Sequence, residues 1–139
     1  MSRRTSREFA LQGLFQIDVV DTEVHQAITN VLEQEGPEVD VEFVRDLIAG
    51  TRDNLQQIDE LIMRHAKGWD LTRMANVDRN VLRMSVYELM HHPETPSAVV
   101  LNEAVDLAKG FSTPESGRFV NGILGKILPE VEAMRPTQG

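Results

Sequence analysis

Apolar residues recur at three- and four-residue intervals along nearly the whole chain, without the sustained two-residue alternation bounded by Asn-Gly or Asp-Gly turns that marks strands. The pattern predicts an all-α protein. Thr5-x-x-Glu8 has the form of a capping box, and Phe9, Ala10, Leu11, Leu14, Phe15 and Ile17 follow it. They predict a first helix over about 5–19, with Arg3 and Arg4 as an arm ahead of it. Val24, Ala27, Ile28, Val31 and Leu32 predict a second over about 22–34, ended by Glu35-Gly36-Pro37. Asp40 should cap a long helix to about Ala66, carried by Phe43, Val44, Leu47, Ile48, Leu55, Ile58, Leu61 and Ile62. Lys67-Gly68 interrupts the pattern. Trp69 to Met74 then reads as a connector, and a helix is predicted from about Val77 to His91. Thr95-Pro96 and Thr113-Pro114 each offer a cap and a first-turn proline, the first for a helix that Gly110 terminates after Lys109. The second opens a last helix over about 114–128, stopped by Pro129, and residues 134–139 read as a frayed tail. The interruption divides the chain into helical subdomains 1–67 and 68–139, together one domain.

Composition removes several kinds of chemistry. The 139 residues are 41% apolar and 26% charged, enough to bury a core without a disulfide or metal staple. No cysteine is present, which excludes thiol catalysis, iron–sulfur clusters and cysteine-ligated zinc and fits a reducing cytoplasm. No apolar run approaches the roughly 18 residues of a membrane span, and the first twenty residues are too charged and interrupted for an export signal. Gly-x-Ser-x-Gly, a Gly-rich phosphate loop and His-Glu-x-x-His are all absent, so neither an enzyme nor a cofactor is expected. His91 and His92 are adjacent and point about 100° apart on a helix, while His25 and His65 have no ligand one turn away. All four read as solvated or helix-end histidines, and no metal site is expected.

The net charge of −8 would argue against a polyanionic partner, but it is unevenly spread. Residues 1–7 carry +3, residues 8–63 carry −11, and residues 64–139 are balanced. A polyanion is therefore expected only near the two ends. Arg79 and Arg83 repel across one helical turn unless each finds its own acid, for which Glu103 and Asp106 are the candidates. Arg3, Arg4 and Arg7 oppose the helix dipole at the first helix. They read either as a solubilising arm or as an anion site shared with first-turn amides. Ser112-Thr113-Pro114-Glu115-Ser116-Gly117-Arg118-Phe119 offers a second helix start with hydroxyls, a guanidinium and a ring, the groups that hold single-stranded nucleic acid. The plainer alternative makes Phe119 a core residue and Glu115 a dipole complement.

Four ordered motifs carry a resemblance: Arg-Arg-Thr-Ser-Arg-Glu-Phe-Ala-Leu-Gln (3–12), Val-Asp-Arg-Asn-Val-Leu-Arg-Met-Ser-Val-Tyr-Glu-Leu (77–89), Pro-Ser-Ala-Val-Val-Leu-Asn-Glu-Ala-Val-Asp-Leu-Ala-Lys (96–109) and Ser-Gly-Arg-Phe-Val-Asn-Gly-Ile-Leu (116–124). Together they resemble the NusB family of bacterial transcription antitermination factors from about residue 3 to 128, most weakly over 20–40. The resemblance implies an all-α fold of about seven helices in two packed three-helix-type bundles. It also implies a non-catalytic protein that binds the single-stranded boxA element of ribosomal RNA leaders alongside the ribosomal protein NusE, and joins other Nus factors on RNA polymerase. By position it assigns RNA contacts to Arg3, Arg4, Arg7, Gln12, Phe15, Lys109, Ser116, Arg118, Phe119 and Asn121, and partner or RNA-proximal roles to Asp78 and Glu115. Phe15 stands where a tyrosine is common, which keeps stacking and loses a hydroxyl. Arg118 stands where lysine is frequent. Gly117 departs from the pattern and should loosen its helical turn. Two other readings remain: the NusB-like domain of an RNA cytosine methyltransferase, which this cysteine-free chain does not fit, and a helical homodimerisation module that buries the same rings and arginines.

Overall fold

A computed structural model describes residues 3–135, and among them it shows seven α-helices, one 3-10 turn and no strand. The helices are α1 (Arg3–Val20), α2 (Val24–Glu33), α3 (Val41–Asp53), α4 (Leu55–His65), α5 (Asn76–His91), α6 (Ser97–Phe111) and α7 (Pro114–Met134), with the 3-10 turn at Leu71–Arg73. Helix α1 packs on α2 and α3, while α5, α6 and α7 pack on one another. Helix α4 lies against α5 and α7 and only lightly against α3. One continuous apolar core runs through both sets, from Leu14, Val31 and Ile48 to Leu82, Leu124 and Ile127.

Four predicted boundaries move. Helix α1 already includes Arg3 and Arg4, so there is no arm, and Thr5 lies inside the helix and not at its cap. The single helix expected from Asp40 to Ala66 is broken at Asn54, although Asp40 does cap its start by accepting from the Phe43 amide. At the break, the Asn54 side-chain amide and backbone N–H both donate to the Gly50 carbonyl. That gives the end of α3 the partner it lacks, and the chain restarts as α4 in a new direction. Helix α6 continues past Gly110 to Phe111. Helix α7 passes through Pro129 to Met134. The missing proline N–H deprives the Gly125 carbonyl, but both residues are exposed, so water can satisfy it. Buried Ile127 and Val131 hold the helix on course. The part of the predicted tail at 136–139 lies outside the described residues.

Helix α5 is the centre of the molecule and the source of its buried polarity. Asp78 through Leu89 are all buried, charged residues included. Arg79 does not reach Glu103 or Asp106; it donates to Asp18 of α1 at 2.6 and 2.9 Å and to the carbonyls of Leu71 and Met74. Arg83 forms a two-pronged pair with Asp59 of α4 at 2.8 and 2.9 Å. Burial opposes the ionised form of Asp18, but the bonds from Arg79 and Asn80 outweigh it and hold the carboxyl below its ordinary pKa. These arginines tie α1 and α4 to α5 and fix the frame on which the surface sites sit. Helix α3 approaches α5 closely at Gly50: a Cβ there would collide with the ring of Tyr87, whose hydroxyl donates to Asp46 at 2.8 Å.

Candidate nucleic-acid interface

The three N-terminal arginines differ in availability. Arg7 occupies the apolar stripe of α1, on the same face as Ala10, Leu11 and Leu14. The residue is 4% exposed, and its guanidinium grips Glu88 of α5 through two bonds of 2.8 and 2.6 Å. It is therefore closed to a phosphate, contrary to the expectation, and acts as a strut beneath the surface. Arg4 is half-exposed but donates to both carboxylate oxygens of Glu103 and to Asp106 on α6. Those hydrogen bonds raise its pKa further and keep it charged. Glu103 and Asp106 are thus the partners of Arg4, not of Arg79 or Arg83. Arg3 lies 4.2 Å over the Phe43 ring and donates to Thr95 at 3.3 Å, near Glu94. The +3 at the chain start is largely answered by acids from α5, α6 and the turn between them.

Beyond the arginines, α1 presents Gln12 and Phe15, both half-buried. With Leu11, Gln16, Val77 and Phe111 they line a hollow of about 410 Å³, to which Phe111 contributes a 43% exposed ring. Next to Val77, Asp78 is buried, and its Oδ1 has no hydrogen-bond partner among the described residues.

The start of α7 is built as predicted from Thr113-Pro114. Thr113 caps it by accepting from the Ser116 amide at 3.2 Å, and the proline takes the first turn. Ser116 is buried and donates to the Ser112 hydroxyl. Gly117 has a packing reason: a Cβ there would meet Cγ of Lys109 at 2.8 Å, so the glycine lets the aliphatic stem of Lys109 lie across the turn. The Lys109 residue as a whole remains exposed. Glu115, at the positive end of the helix, is held below its usual pKa by backbone amide and Thr113 hydrogen bonds, and pairs with Arg118 at 3.1 Å in full solvent. Asn121 is exposed.

Arg118 and Phe119 face a hollow of about 270 Å³ completed by His65, Ala66, Lys67, Trp69, Gly122, Ile123 and Lys126. Trp69 meets the Phe119 ring edge-on at 5.1 Å. Arg4 lines a separate small cavity with Glu8, Asp106, Leu107, Gly110 and Phe111. Arg4 and Arg118 thus line different hollows. The last turn of α6 touches both, with Phe111 beside Arg4 and Lys109 across Gly117. Sequence reasoning missed Phe111, Trp69, Lys67 and Lys126. The available signal was an aromatic residue lying outside any apolar stripe, next to a helix break and a lysine. Of the histidines, His92 bridges Asp46 and Glu94 at 2.6 and 2.7 Å, His65 reaches Glu130 at 3.0 Å, and His91 stacks on Tyr87.

The NusB family model matches residues 4–129. The transcription antitermination protein NusB of Desulforamulus reducens is 46% identical over 138 residues, covering 98% of this chain and 96% of the relative. Among solved structures, NusB of T. maritima superposes with a TM-score of 0.86 at 38% identity, covering 94% of this chain and 92% of that one. A NusB chain from a crystal structure of the antitermination factors NusB and NusE with double-stranded RNA superposes with a TM-score of 0.84 at 26% identity, covering 92% and 96%. Fold, motifs and length agree throughout, and the chain belongs to the NusB family.

Proposed function

We propose that this protein is a cytoplasmic antitermination factor that binds the single-stranded boxA element of ribosomal RNA leaders together with NusE. In this reading it joins other Nus factors on RNA polymerase to suppress premature termination. The observation that carries it is the α7 start, where Lys109, Arg118 and Asn121 stand exposed beside the half-buried Phe119. Phosphates would meet Lys109 and Arg118, with Arg3 and Arg4 contributing once their acids are outcompeted, and bases would stack on Phe119 and Phe15. Gln12 and Asn121 supply polar contacts, while the buried Ser116 holds the turn through Ser112 and Thr113. Arg7 serves as a positioning residue through Glu88. The acidic middle of the chain suits a basic ribosomal protein, and Glu115 and the unpartnered Asp78 oxygen are further candidate acceptors for that partner. Membership of the family and a solved relative holding both NusE and RNA support this reading.

Titration of labelled boxA RNA, a scrambled strand and a duplex, with and without NusE at fixed salt, tests it. Preference for the single-stranded boxA sequence, strengthened by NusE, is expected. Equal retention of all three RNAs would reduce the activity to general polyanion binding, and a permanent dimer in light scattering, unchanged by RNA, would favour the homodimerisation module.

A further inference from the structure

The hollow around Trp69 goes beyond the contacts assigned above. Trp69 is 52% exposed although it is the largest apolar side chain in the protein. Its position is defined: its amide donates to the Ala66 carbonyl at 2.9 Å, and Gly68 (φ 83) turns the chain through a left-handed conformation that costs a side chain about 1 kcal/mol or more. Asp70 then caps the following 3-10 turn through the Thr72 amide. The turn thus holds an indole at the surface against Phe119 instead of folding it into the core. Lys67, Arg118 and Lys126 surround the two rings, and no carboxylate lines the hollow. Two acids bond residues of its rim from outside the lining, Glu115 to Arg118 and Glu130 to His65 as well as to Arg64. Lys67 and Lys126 have no ion pair among the described residues. On a chain of net charge −8, an aromatic cleft lined by three cationic side chains and no carboxylate is a local reversal.

The geometry points to Trp69 as a further stacking platform for an unpaired RNA base, with Lys67 and Lys126 holding the phosphates on either side of it. The strand would then continue from the α7 start across Phe119 onto the α4–α5 connection. Two rings at an edge-to-face angle of 71° present separate faces and suit a strand whose bases splay apart, not a stacked duplex. This rests on the RNA-binding reading given above.

The chain contains one tryptophan, so its own emission reports on the site. Full-length protein is titrated with single-stranded boxA RNA while polarisation of the labelled RNA and tryptophan emission are recorded together. Saturable quenching at the same midpoint as the polarisation change is expected. Trp69→Phe should keep most of the affinity, whereas Trp69→Ala should weaken binding by about 5- to 150-fold with unchanged helicity, the range found for loss of one stacked base. Lys67→Glu and Lys126→Glu should each flatten the salt dependence by about 0.7 in log–log slope. Polarisation that saturates without quenching, or undiminished affinity in Trp69→Ala, would overturn the platform and leave the RNA reading standing. Equal quenching by a duplex, or by NusE in place of RNA, would also overturn it. Absence of saturable binding to any RNA would overturn both.

Discussion

Arg79 and Arg83 in α5 carry the same charge as Arg118, Lys67 and Lys126 around the α7 face, yet the two groups sit in opposite surroundings. The α5 arginines are wrapped by Asp18, Asp59 and backbone carbonyls, with side chains 10–11% exposed. The α7-face cations stand in solvent with at most one exposed carboxylate among them. A buried cation must have its donors filled from inside the protein and becomes part of the frame; a surface cation with unfilled donors is left for something else to fill. Arg7 and Arg4, three residues apart on α1, are both paired and differ in burial: Arg7 is enclosed with Glu88, whereas Arg4 meets Glu103 and Asp106 at the surface.

Substitutions can break that contrast, beginning with the largest effect. Arg7→Ala or Glu88→Ala leaves the other charge buried alone and should lower unfolding free energy by about 3–5 kcal/mol in urea melts. Arg118→Ala should change it by less than about 0.5 kcal/mol. Similar losses at both sites would erase the distinction. Arg118→Glu should weaken boxA binding by about 1.5–3 kcal/mol at fixed salt, the scale of a charged hydrogen bond. Unchanged affinity in both this variant and Arg4→Glu would remove the arginines from the interface.

A smaller effect lies in the pH dependence of the frame. Burial disfavours protonation of His92, but hydrogen bonds to Glu94 and Asp46 outweigh it and raise its pKa above the ordinary 6.5. Its stabilisation is complete below that ordinary value and is lost as pH rises through the folded one. The depressed Asp18 acts in the opposite sense: its contribution is complete above the ordinary 3.8 and is lost as pH falls through the folded value. Thermal melts from acid to mildly alkaline pH should show both limbs, with His92→Gln flattening the alkaline one and Asp18→Asn the acid one. Smallest of all, Glu115→Gln removes an exposed pair worth a few tenths of a kcal/mol and frees Arg118, so boxA affinity should rise by less than about twofold.

Helix identity was legible because the apolar stripes are long and their stops are chemical, as at Thr113-Pro114. The break at Asn54 was not, since the heptad-like run from Phe43 to Ile62 continues through it and only the side-chain bond to Gly50 reveals the corner. Pro129 misled in the other direction, because its cost depends on whether the freed carbonyl meets water. Arg7 could have been placed from its phase with Ala10, Leu11 and Leu14, which puts it on the buried face. The partners of Arg79 and Arg83 could not, for Asp18 and Asp59 come from other helices 61 and 24 residues away. The α7 residues proposed to face RNA were visible as a motif, whereas Trp69 comes beside Phe119 only through the folding of a connector.

Gly50 gives the α3–α5 contact a mechanical meaning. The interval between the helices is set by a missing methyl group, and the ring that fills its place is clamped by Asp46 and stacked on His91. An alanine at position 50 would act as a wedge, levering the tyrosine away and carrying Asp46, one of the two acids on His92, out of register with it.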